Sequence, residues 1–251
     1  MPYEPRTVYS EAAPNSPESA LYYVRGLQAT DRAGSWPHCG RLSDRVALIL
    51  WARQNEKIVS ASFIKDLLEL EEIRYRFAGN EHTVYHQPAL RRALKITHVK
   101  FLARIGVVSR YLGRLAASIR VFADDVEIVG VLHRETQLQI LTSQRWIFDD
   151  EGSPPITLVE IDSYFERLGF HQFRDGDGQP VYYDPQSGLI VADAHSQNFI
   201  RSDGELIPID VKLESFTSEL LTIAKSHSWG RRLTWENCLW SLDPDAKPGQ
   251  V

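Results

Sequence analysis

Apolar positions recur along this chain at two different spacings, and the change between them divides it. From residue 43 to residue 70 they fall three and four apart: Val46, Ile49 and Leu50, then Phe63, Ile64, Leu67, Leu68 and Leu70. That is the period of amphipathic helices. Ser43 or Asp44 is placed to cap the first of them. Residues 1–20, rich in Pro, Ser, Glu and Asn, show no such period and read as a flexible arm. Residues 21–71 then read as a helical extension, too short to hold a core of its own.

From Ile73 the period shortens to two. Residues 74–77, 83–85 and 92–97 predict three strands, with Gly79 and a polar turn between the first two. Helical spacing returns over 108–122, where Tyr111, Leu112, Leu115, Ile119 and Phe122 share a face, while Arg110, Arg114 and Arg120 read as a solvated one. Residues 126–132 and 138–147 predict two further strands. The region 72–147 thus runs three strands, one helix, two strands.

A breaker-rich stretch, Asp149-Asp150-Glu151-Gly152-Ser153-Pro154-Pro155, opens the region 148–251. Thr157 caps a helix bearing Leu158, Ile161, Phe165 and Leu168; Glu160 completes a capping box and Gly169 ends the helix. Short strands follow, punctuated by turns at 175–178, 185–188 and 202–204. The last turn joins 198–201 to 205–211. A helix over 217–226 and a polar tail with Trp229, Trp235 and Trp240 complete the pattern.

Composition narrows the classes. Of 251 residues, 43% are hydrophobic and 24% charged, so the chain is globular rather than disordered. A net charge of -5 argues against a nucleic-acid partner. The longest apolar run, 46–52, is far short of a bilayer span, and the N-terminus lacks the basic-then-apolar pattern of a secretory leader. Cys39 and Cys238 stand far apart with no second cysteine nearby. No membrane partner and a reducing, cytoplasmic setting are therefore expected.

The chemistry concentrates between Gly188 and Asp210. An apolar run delivers Asp193 onto a tight loop that also carries His195 and Asn198, and a hairpin then returns Asp210 toward Asn198. Two carboxylates and an amide oxygen meeting at one end of a hairpin suit phosphoryl transfer from a Mg²⁺-bound nucleotide. One carboxylate orients or deprotonates an acceptor hydroxyl while the other, with the amide, holds the hard cation. Lys95, between apolar neighbours on the third strand, is placed to neutralise phosphates as a point charge. Residues 79–85, including Gly79, Asn80 and Val84, could cover phosphates with backbone N–H groups.

At this point a resemblance enters. The strand and helix order, the strand lysine, Asp-x-x-x-x-Asn and the later Asp resemble the protein-kinase-like fold. Ala192-Asp193-Ala-His195-Ser-Gln-Asn198-Phe199 is similar to the catalytic loop of aminoglycoside-phosphotransferase-type kinases. The stretch from Gly188 to Val211, together with Thr142-Ser143-Gln144, resembles the kinase domains of polyvalent proteins carried by phages and other bacterial mobile elements. The resemblance spans about residues 72–215. It implies an α/β (α+β), two-lobed kinase-like fold with a reduced C-lobe and an N-terminal helical extension.

It further implies a transferase using ATP and Mg²⁺ on a hydroxyl acceptor, either a protein or a small molecule. Asp193 would be the catalytic Asp, Asn198 and Asp210 the metal ligands, and Lys95 the phosphate-pairing Lys. Gly79, Asn80 and Val84 would belong to the phosphate loop. The backbone around Thr142 and Gln144, as far as Trp146, would read adenine, and His195 would shape the loop. Departures from the pattern, above all the missing helix carboxylate and a C-lobe of only about forty residues after Asp210, motivate an alternative, a non-catalytic nucleotide-binding pseudokinase or interaction module. Residues 108–122 hold no Asp or Glu to partner Lys95, although Asp124 and Asp125 follow; the phosphate loop keeps a single glycine; and Val211-Lys212 follow Asp210 in place of Phe-Gly.

Overall fold

The computed structural model describes residues 13–32, 44–70, 76–79, 81–105, 108–135, 137–174 and 180–215. The chain forms two compact units, Met1–Trp146 and Ile147–Val251.

In the first unit, α1 (Pro17–Arg32) starts inside the segment expected to be an arm. Ser16 accepts a hydrogen bond from the Ser19 N–H (3.1 Å), Pro17 takes the first helical position and Glu18 lies in the first turn. The polar run that reads as a loop is thus a helix start, and Ala20 is fully buried. Then come α2 (Asp44–Gln54), β1 (Ile58–Val59) and α3 (Ala61–Leu70). The Asp44 carboxylate also reaches across to another helix. It accepts from the Ser109 N–H (3.1 Å) and hydroxyl (2.7 Å), at the start of α5 (Val108–Phe122).

Strands β2 (Arg76–Ala78), β3 (His82–Gln87), β4 (Arg92–Thr97), β5 (Glu127–Arg134) and β6 (Gln137–Arg145) join β1 in a sheet ordered β1-β5-β6-β4-β3-β2. All pairings are antiparallel except β1 with β5, where Ile58 faces Val131 and Val59 faces Leu132. Gly130 makes that approach possible, because a Cβ there would sit 2.7 Å from Val59 Cγ1. A second helix, α4 (Val99–Ile105), precedes α5, so two helices rather than one separate the strand groups.

One core unites the extension with the sheet. Val24, Leu48, Trp51, Phe101, Leu112, Ile128, Leu138 and Ile140 are buried together, each large side chain contributing about 1.5–3 kcal/mol. Arg114 is not on a solvated face: it is largely buried and pairs with Glu81 (3.2 Å).

The second unit opens with α6 (Leu158–Arg167), whose capping box is formed as the sequence predicts: Thr157 accepts from the Glu160 N–H and Glu160 from the Thr157 N–H. Strands β7 (His171–Arg174), β8 (Pro180–Asp184), β9 (Leu189–Ala192) and β12 (Lys212–Ser215) form an antiparallel sheet ordered β12-β9-β8-β7. Phe165 centres the core, stacked on Tyr182 at 4.3 Å and edge-on to Phe170 and Phe199.

The remaining hairpin joins β10 (Phe199–Ser202) to β11 (Glu205–Pro208). Its two-residue turn places Asp203 and Gly204 at φ 54° and 76°, the left-handed pair that a tight hairpin demands and Gly accepts without strain. Asp150 accepts from both turn N–H groups, fixing the tip. The turn at 175–178, the helix over 217–226, the tail tryptophans and both cysteines lie outside the described residues. Among those described, no helix is long and apolar enough to cross a membrane.

Candidate active site

Burial of Leu189, Ile190 and Val191 anchors β9 in its sheet. The strand ends abruptly because Asp193 adopts φ 62°, a left-handed conformation that Asp tolerates better than most residues. Buried Ala194 pins the far side of the bend, leaving the Asp193 carboxylate at the surface. Its Oδ1 lies 3.3 Å from His195 Nε2 and its Oδ2 lies 3.1 Å from Lys212 Nζ.

A short 3₁₀ turn, Ser196–Asn198, brings Asn198 back to the bend. The Asn198 side-chain Nδ2 donates to the Asp193 carbonyl (2.7 Å) and lies 3.2 Å from His195 Nε2. Beyond the hairpin, the Ile209 N–H donates to the Asn198 carbonyl (2.9 Å), so Asp210 stands one residue from the loop with its side chain exposed. Asp193, His195 and Asn198 therefore form one local group, and Asp210 follows the residue that is hydrogen-bonded to it.

The group suits a nucleotide-borne Mg²⁺. Commitment of Asn198 Nδ2 to the Asp193 carbonyl decides which end of that amide is left as oxygen, and the Asp210 carboxylate adds a hard anionic ligand. Among the described residues no set of three or more His, Cys, Asp or Glu side chains forms a metal cage. A cation already carried on phosphates asks for only one or two carboxylates.

In the first unit, Lys95 lies on β4 between Val84 on β3 and Thr142 on β6. Asp124 interacts with it electrostatically. Burial raises the pKa of the Asp124 carboxyl, while a hydrogen bond from the Ser118 hydroxyl and the Lys95 charge pull it back down. Asp125 is otherwise engaged: Arg92 Nη1 contacts its Oδ2 (2.8 Å) and the Arg145 N–H donates to its Oδ1 (2.7 Å). Of the two acids that follow α5, Asp124 is the one whose pKa responds to the Lys95 charge, while Asp125 is held by Arg92 and the Arg145 N–H.

His82 sits beside this lysine, with Nε2 3.0 Å from the Tyr111 hydroxyl. Burial first, then the charges of Lys95 and Arg114 and the neighbouring His98, lower its pKa to about 3.

Two expectations change on the first unit. Gly79 donates its N–H to the His82 carbonyl (2.9 Å), so that amide closes a hairpin instead of facing phosphate. The same turn is tied to α5 through Glu81 and Arg114, and Asn80 lies outside the described residues. Thr142 and Gln144 are interior to β6, which is laddered to β4 and, at Thr142, also to β5; Thr142 is buried. The Arg145 and Trp146 N–H groups are given to Asp125 and to the Arg91 carbonyl. A backbone so committed does not offer these donors to a base.

Residues 43–215 match the family model described as Serine/Threonine/Tyrosine Kinase found in polyvalent proteins. The chain belongs to this kinase family. Its mixed α/β architecture is accordingly kinase-like. The match begins well before residue 72, so α2, β1 and α3 lie within the kinase domain, and it ends with β12. No curated protein and no solved structure matches the chain.

Against that kinase assignment, two residues stand out that sequence reasoning placed only loosely. Spacing alone does not distinguish Asp124 from Asp125; their hydrogen-bond partners do, Ser118 for the first and Arg92 with the Arg145 N–H for the second. Lys212 registered merely as a departure after Asp210. Its signal lay in position: at the start of a strand paired with β9, Lys212 is registered against Ala192, beside Asp193.

Proposed function

We propose that this domain transfers the γ-phosphoryl group of Mg²⁺-bound ATP to a hydroxyl on a protein or small-molecule acceptor. The observation that carries the reading is the Asp193–Asn198–Ile209 linkage, which holds an exposed carboxylate, an oriented amide and the Asp210 carboxylate in one short stretch of backbone.

Asp193 orients the acceptor hydroxyl and receives its proton as the bond to phosphorus forms. Asn198 and Asp210 hold the cation, which when bound neutralises charge on the phosphate oxygens. His195 braces the loop through the Asp193 carboxylate. Lys95 meets the phosphates that remain on the nucleotide, with Asp124 steadying its charge. The backbone donors of Arg145 and Trp146 are already committed, so adenine recognition is not assigned to them. Phosphoryl transfer passes through a loose transition state, so positioning and charge neutralisation supply most of the barrier reduction.

The direct test is calorimetric titration of ATP·Mg²⁺ into the parent protein and Asp210→Ala. The parent binds and the variant loses measurable binding; equal affinity would remove Asp210 from the metal site.

A further inference from the structure

Lys212 belongs to no part of the machinery assigned above, yet its ammonium lies 3.1 Å from Asp193 Oδ2. The contact is built into the sheet. Lys212 pairs with Ala192 and Leu213 with Val191 across β12 and β9, and both Leu213 and Val191 are buried, so the two strands cannot slide without breaking the core. Lys212 is the only lysine between Ile147 and Ser215, a stretch rich in Asp and Glu. A single ammonium in an acidic region, registered beside the exposed carboxylate of the loop, is a specific placement.

The opposite oxygen of the same carboxylate faces His195 Nε2 at 3.3 Å. Asp193 is thereby flanked on both sides, with the Lys212 ammonium donating to one carboxylate oxygen and the His195 ring nitrogen against the other, and rotation about the Cβ–Cγ bond is restricted. We propose that Lys212 is a positioning residue: it fixes the Asp193 carboxylate for the acceptor hydroxyl and offsets the repulsion between that carboxylate and an arriving phosphoryl group. The inference rests on the phosphotransfer reading and adds a residue to it.

A purely structural lysine, one that only secures β12 to β9, makes a different set of predictions. Lys212→Met keeps the aliphatic stem and removes the charge. Transfer of labelled γ-phosphate from ATP·Mg²⁺ to water or to the chain itself is followed at saturating nucleotide, beside the thermal midpoint of each variant. Positioning predicts that Lys212→Met lowers kcat by up to about a hundredfold, with KM for ATP and the thermal midpoint nearly unchanged. Lys212→Arg recovers part of the rate.

The double variant Asp193→Ala/Lys212→Met is the sharpest arm. If Lys212 acts through Asp193, adding Lys212→Met to Asp193→Ala costs nothing further. Losses that multiply in the double variant, or a Lys212→Met protein with the parent kcat, overturn the inference while Asp193-dependent transfer by the parent leaves phosphotransfer standing. A parent protein without Asp193-dependent transfer overturns both.

Discussion

The side-chain amide of Asn198 donates to the main-chain carbonyl of Asp193 across 2.7 Å, so the residue proposed to hold the cation also shapes the bend that presents the proposed catalytic carboxylate. Asn198→Asp replaces that donor with an oxygen facing an oxygen. Loss of one hydrogen bond at the surface costs about 1 kcal/mol of folding stability, readable in urea denaturation. ATP·Mg²⁺ affinity, measured by calorimetry, falls roughly 10–100-fold, because both the loop and the ligand set are disturbed. Unchanged affinity would separate the loop from the metal.

Burial of Asp124 opposes stability to function. Burial raises the Asp124 pKa above the ordinary aspartate value, so the folded chain takes up this proton more readily than the unfolded one. The group's contribution is most favourable below the unfolded value. It is lost as pH rises through the interval up to the folded value, and stays lost above that. Asp124→Asn keeps an acceptor for the Ser118 hydroxyl and removes the charge. It is expected to raise the urea midpoint at neutral pH while weakening ATP binding by at most about 1 kcal/mol. A variant that gains no stability at neutral pH contradicts this account of Asp124.

His82 gives the opposite sign. Its pKa falls from 6.5 to about 3 on folding, so between those values the unfolded chain binds the proton and the folded chain does not. Stability from the neutral ring is complete above 6.5 and drains away as pH falls toward 3. Urea midpoints recorded over this range should decline in the parent and decline less in His82→Gln. Parallel curves would show that protonation of His82 does not drive acid unfolding.

Legibility of the fold tracked the length of each pattern. β4 and α5 have the bounds their patterns predict, because six strand-favouring positions between turns and fifteen helical positions leave little ambiguity. β1, with two residues, and α4, with seven, are too short to establish a period, and both are defined by tertiary packing. The start of α1 was hidden because Ser16-Pro17-Glu18 has the composition of a loop and the chemistry of a helix cap.

In the candidate site, Asp193, Asn198 and Asp210 were readable together because one loop and one hairpin encode their proximity locally. Lys212 beside Asp193 depends on strand register, which spacing alone does not carry.

The central claim is that Asp193 serves phosphoryl transfer. It is tested most directly by incubating the parent protein and Asp193→Ala with γ-labelled ATP and Mg²⁺ while calorimetry follows nucleotide binding to each. The account predicts labelled phosphate released or transferred by the parent, lost from Asp193→Ala, with ATP·Mg²⁺ still bound by the variant. Equal transfer by both proteins, or a parent that binds ATP·Mg²⁺ and transfers nothing, would contradict it.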